Sequence, residues 1–119
     1  FGIASAPDMQ LSAPVMNGIG TPYYMAPEQS RGDEITTSAD IFSFGVVAYE
    51  CLTHTLPFTG STPMAIYNAM LESSFTPILE LNPLVPLQVS CMVERCLIPE
   101  AVLRPQSMNK VLEAFRNFA

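Results

Sequence analysis

The side chains best suited to metal binding or nucleophilic chemistry are three cysteines, Cys51, Cys91 and Cys96, and one histidine, His54. A structural zinc site draws its thiolates and imidazoles from closely spaced pairs. No CxxC pair is present, and the odd count and wide spacing of the cysteines also argue against a disulfide framework. His54 has no cysteine or carboxylate cluster around it. We therefore expect buried free thiols in a reducing compartment and no metal site.

The composition narrows the partners. The formal net charge is −6, whereas nucleic acids and anionic membranes select for clusters of Lys and Arg, so no nucleic-acid partner is expected. Charged residues make up only 13% of the chain, about half the usual share. Either much of the chain is buried or it packs against something else. The longest apolar stretch, Ile41 to Leu52, contains Glu50 and falls short of the ~18–20 residues needed to span a bilayer. The start is not basic-then-apolar, which argues against a signal peptide; a cytoplasmic setting is expected, the alternative being a parent anchored to a membrane through segments not present here. A beginning at Phe1 rather than Met suggests a piece of a longer protein.

Residues 1 to 22 hold Gly2, Pro7, Pro14, Gly18, Gly20 and Pro22 without a clean period and read as a long irregular segment. Segments of that length inside a compact domain are usually functional or disordered. A short helical turn is expected over Met25 to Ser30. Thr36, Thr37 and Ser38 then offer N-caps, with Asp40 three residues after Thr37 as in a capping box. The next helix is expected from Ala39 to about Thr53. Its Ile41, Phe42, Phe44, Val46, Val47, Ala48, Tyr49 and Leu52 go nearly all the way round, the mark of a helix inside a core.

Thr62 as N-cap and Pro63 at the first helical position open a helix to about Glu72. Met64, Tyr67 and Met70 on it suit either core packing or a docking face. Residues 73 to 86, with Pro77, Pro83 and Pro86, read as an extended connection. A helix from about Leu87 to Leu97 has one apolar face made by Val89, Met92, Val93, Cys96 and Leu97. The last helix is expected to start at Pro105 or Gln106, with Met108, Val111, Leu112, Phe115 and Phe118 at three- and four-residue steps. The whole is a mainly α-helical chain, a long loop followed by about five helices, with no substantial sheet.

Gly20-Thr21-Pro22-Tyr23-Tyr24-Met25-Ala26-Pro27-Glu28 resembles the end of a protein-kinase activation segment, with that family's Ala-Pro-Glu signature. Three further stretches follow in the family's order. Ser38-Ala39-Asp40-Ile41-Phe42-Ser43-Phe44-Gly45 resembles the start of the central helix of the large lobe. Leu56-Pro57-Phe58 resembles the loop after it, and Leu103-Arg104-Pro105 the arginine motif before the last helix. Phe1-Gly2 resembles the end of Asp-Phe-Gly. Gly20-Thr21-Pro22 is similar to the serine/threonine branch, and Gln29 to bacterial members. Phe42 stands where the family usually has Trp, and Glu100 where it usually has Asp, with the proline displaced to Pro99.

The resemblance implies a partial kinase domain, with residues 1–28 as activation segment and 29–119 as the helical large lobe. It implies a structural ion pair between Glu28 and Arg104. Asp40 would anchor the central helix to backbone amides of the catalytic loop. Gly2, Gly20, Thr21, Pro22 and Tyr24 would form the substrate-facing part of the activation segment. Thr21 would contact the catalytic aspartate, and Pro22, Tyr23 and Tyr24 would shape the pocket for the residue after the phosphoacceptor. Ser5 and Ser12 are candidate phosphosites, where a phosphate paired with an arginine would order the loop.

Phosphoryl transfer also needs a Gly-rich loop, a phosphate-binding lysine, metal-holding Asp and Asn, and a catalytic-loop Asp. None of these motifs is in the chain, and its one histidine, His54, is followed by Thr55. The resemblance thus implies ATP and Mg2+ for a full-length parent, none bound by this chain alone, and no catalytic residue here. Partners would be protein substrates and the remainder of the kinase domain. The alternative is a truncated or pseudokinase module acting as a non-catalytic scaffold. A third reading, an unrelated helical interaction protein, does not account for four motifs in order.

Overall fold

The computed structural model describes residues 22–32 and 36–116. Among the described residues the chain is helical, with no strand. The helices are α1 (Pro27–Ser30), α2 (Thr37–Thr53), α3 (Pro63–Leu71), α4 (Ile78–Leu81), α5 (Leu87–Cys96) and α6 (Met108–Arg116), with a 3-10 turn at Ala101–Leu103 before the last. None of them is long and apolar enough to cross a membrane.

Local signals set most of the boundaries. Pro27 occupies the first turn of α1, and the Gln29 side chain reaches back to accept from Ala26 N (3.0 Å). This is half of a capping box. Thr36 caps α2 by accepting from Ala39 N (3.2 Å). That places Ala39, not Asp40, at the third helical position, so the expected Thr37–Asp40 box does not form. Thr62 caps α3 by accepting from Ala65 N (3.1 Å), with Pro63 following as expected. α2 ends on His54 in the left-handed region (φ 63), whose N–H bonds to Glu50 O (2.7 Å).

Two expectations are corrected. The connection 73–86 is not extended throughout, since it contains α4. Pro77 offers no capping side chain, but the Glu94 carboxylate from α5 accepts from Ile78 N (2.8 Å). Asn82 then donates to Leu52 O (2.9 Å), tying the end of α4 to the end of α2. The described part therefore holds six helices, α4 being the one added to the about five expected. The last of them starts at Met108 rather than Pro105 or Gln106, because Ser107 supplies the cap, accepting from Lys110 N (3.2 Å).

α2 is the axis of the core, packing against α4, α5 and the 3-10 turn. Its Phe42, Val46, Ala48 and Tyr49 join Phe58, Ile66, Met70, Ile78, Val89, Val93 and Leu97 in the main cluster. Its Ile41 meets Cys96 and Val111 in a second one. The helices α2 and α5 approach closely at Gly45. A Cβ there would lie 2.7 Å from Cys96 Cβ and 3.1 Å from Leu97 Cδ2. Cys96 Cβ is the stem of a buried side chain and cannot swing aside. Gly45→Ala is therefore expected to lower the unfolding free energy by about 1–3 kcal/mol in urea titrations. A neutral or stabilising Gly45→Ala, as for an open helix position, would contradict this close packing.

Candidate functional site

The residues singled out from sequence fall into three groups. Gly2, Ser5, Ser12, Gly20 and Thr21 lie outside the described residues. Glu28 and Arg104 are brought together across the fold. Tyr24 and Asp40 lie beside and on α2, and Pro22 lies at the groove between α1 and α3.

Arg104 leaves the 3-10 turn in an extended conformation (φ −74, ψ 164), which sends its side chain back under α1 and α2. It is the largest fully buried side chain among the described residues. Nη1 donates to Glu28 Oε2 (2.8 Å) and Nη2 to Glu28 Oε1 (2.9 Å), a bidentate pair. Nε donates to Ile98 O (2.7 Å), Nη1 also to Ser38 O (3.0 Å), and Nη2 also to Pro99 O (3.0 Å). These contacts use all five guanidinium N–H groups. The guanidinium carbon lies over the Phe42 ring, 4.9 Å from its centroid.

The aromatic contacts continue inward. Phe42 stacks on Phe58 (5.9 Å between centroids, 12° between planes), Phe58 meets Phe75 edge-on, and Phe75 meets Tyr49. Tyr49 OH donates to Thr76 O. The Ala-Pro-Glu turn, the central helix, the Leu-Pro-Phe loop and the arginine motif thus converge on one buried column. The displaced Pro99 does not break it, because the Pro99 carbonyl is one of the acceptors of Arg104. Glu100 is exposed, and the Ser38 hydroxyl bonds instead to Ala101 O (3.1 Å).

Burial alone would raise the Glu28 carboxyl. The hydrogen bonds and charge of Arg104 outweigh it and hold the group below its ordinary value of 4.5. A carboxyl depressed in the folded state contributes stability above its unfolded pKa, and that contribution is lost as pH falls through the lower folded value. Unfolding free energy measured from about pH 6 down to about pH 3 should therefore decline more steeply for the native chain than for Glu28→Gln. Parallel profiles would contradict the assignment.

The segment before α1 is tied down by α2. Ser43 Oγ donates to Tyr24 O (2.7 Å), and Tyr24 OH donates to Glu50 Oε1 (2.6 Å). Sequence reasoning missed Ser43 and Glu50. The available signal was their spacing of seven residues, two helical turns, which puts both on one face. Asp40 is half-buried in the first turn of α2, where the helix dipole favours an acid.

Beside this segment, α1 and α3 flank an open groove of about 190 Å3 lined by Pro22, Met25, Arg31, Pro63, Met64 and Tyr67. Arg31 Nη1 donates to Tyr67 OH across it (3.1 Å). The three α3 residues considered together from sequence divide between two roles. Met70 is buried in the core, Met64 is 64% exposed, and Tyr67 is half-buried at the groove.

The cysteines also divide. Cys96 is buried, but Cys51 and Cys91 are exposed, against the expectation of buried thiols. Burial pushes the Cys96 thiol up to about 12, which leaves it protonated and inert as a nucleophile. Among the described residues no group of His, Cys, Asp or Glu is placed to hold a metal ion.

Comparison with known proteins agrees with this geometry. Residues 1–114 match the family model described as protein kinase domain. A probable serine/threonine-protein kinase of Clostridium acetobutylicum is 32% identical over 98% of this chain and 18% of its own length. The tyrosine-protein kinase MasK of Myxococcus xanthus is 37% identical over 97% of this chain and 17% of its own. The serine/threonine-protein kinase PknB of Mycobacterium tuberculosis is 43% identical over 50% of this chain and 10% of its own. The chain spans less than a fifth of the length of each of these relatives.

Proposed function

The chain belongs to the protein kinase domain family, and from that premise we propose that it supplies the activation segment and the substrate-binding helical lobe of a serine/threonine protein kinase. Residues 1–28 are the activation segment and 29–119 the helical lobe. The observation that carries this reading is the Glu28–Arg104 pair, which binds the end of one to the body of the other through a buried bidentate contact. Ser43 and Glu50 add a second hold at Tyr24. A segment fastened at both points presents Pro22 and Tyr24 on a rigid helical base, as positioning of a peptide substrate requires.

Transfer of the ATP γ-phosphate to a serine or threonine hydroxyl needs groups that this chain's described residues do not offer. No Gly-rich loop or catalytic-loop motif is in the sequence. ATP and Mg2+ are accordingly assigned to the remainder of the kinase domain. Asp40, at the start of α2, is assigned the contact with the catalytic loop there. The serine/threonine preference rests on Gly20-Thr21-Pro22, which is similar to that branch of the family. The odd count and wide spacing of the three cysteines support a reducing, cytoplasmic setting.

The test compares two proteins. One is this chain alone, and the other is the kinase domain encoded by the parent gene with the upstream Gly-rich loop, lysine and catalytic loop. With ATP and magnesium, the longer protein is expected to phosphorylate serine or threonine in a protein substrate, and the chain alone neither to bind ATP tightly nor to transfer phosphate. Tight ATP binding by the chain alone would overturn the division of labour. An upstream region without those motifs would replace the enzyme reading with a non-catalytic scaffold.

A further inference from the structure

We draw no further inference here: the strongest candidate, the groove between α1 and α3 lined by Pro22, Met25, Arg31, Met64 and Tyr67, adjoins the substrate-facing segment already described, and nothing in the structure shows what covers it.

Discussion

Replacing Arg104 with methionine is expected to lower the unfolding free energy by about 3–5 kcal/mol, read from urea midpoints at neutral pH. The cost comes less from losing an attraction than from what is left behind. Glu28 is 8% exposed, so its carboxylate would sit without its hydrogen-bonded counter-charge in a site shaped for a guanidinium. The part-buried carbonyls of Ile98, Ser38 and Pro99 would each lose a charged donor at the same time, and an acceptor that loses its partner away from water adds a desolvation cost.

Two companion variants separate these contributions. Where an ion pair stands alone, replacing both partners by apolar groups is often close to neutral. Here the double variant Glu28→Leu with Arg104→Met should recover part of the loss and retain a deficit of about 1–3 kcal/mol, because the three carbonyls still lack the guanidinium donors. Arg104→Lys should behave more like the methionine variant than like the native chain. One ammonium with three rotatable donors cannot replace a planar fork that meets a carboxylate and three carbonyls together. An Arg104→Met loss below about 1 kcal/mol, the range of surface pairs, would show that the pair is solvated and that the Ala-Pro-Glu turn is not anchored through it.

Phe42→Ala is expected to cost a similar amount, about 3–5 kcal/mol. The ring is fully buried, stacked on Phe58 and covered by the Arg104 guanidinium. Truncation opens a cavity between those two groups and removes the ring over which the guanidinium sits. Phe42→Leu restores most of the volume without the π face and should cost about 1–2 kcal/mol. A double-mutant cycle between Phe42→Leu and Arg104→Met should give a favourable coupling, since the two side chains touch directly. Additive losses would mean that the ring serves only as filler. A Phe42→Ala loss below about 1 kcal/mol would place the ring outside the core altogether.

Elements whose signals lie within a few residues were readable from sequence. The Thr62-Pro63 cap, the apolar circumference of α2 and the three- and four-residue steps of α6 are each written inside one turn or one helix. The order of four short motifs named the family and pointed to Glu28 and Arg104. Other features had no local signature. α4 begins after Pro77, which cannot cap it, and its missing acceptor comes from Glu94, sixteen residues on. The five-donor role of Arg104 depends on Glu28, 76 residues earlier, and on three carbonyls whose directions only the folded backbone sets. Burial of the cysteines could not be read either. α2 is apolar nearly all round, so its pattern does not say which side meets α5, and Cys51 falls on the side that does not. By itself the sequence determined every helix but α4 and the family they serve, because caps and periodicity act over a few residues. Only the tertiary structure decided which polar groups find partners, because those partners are distant in the chain and meet only once the core has packed.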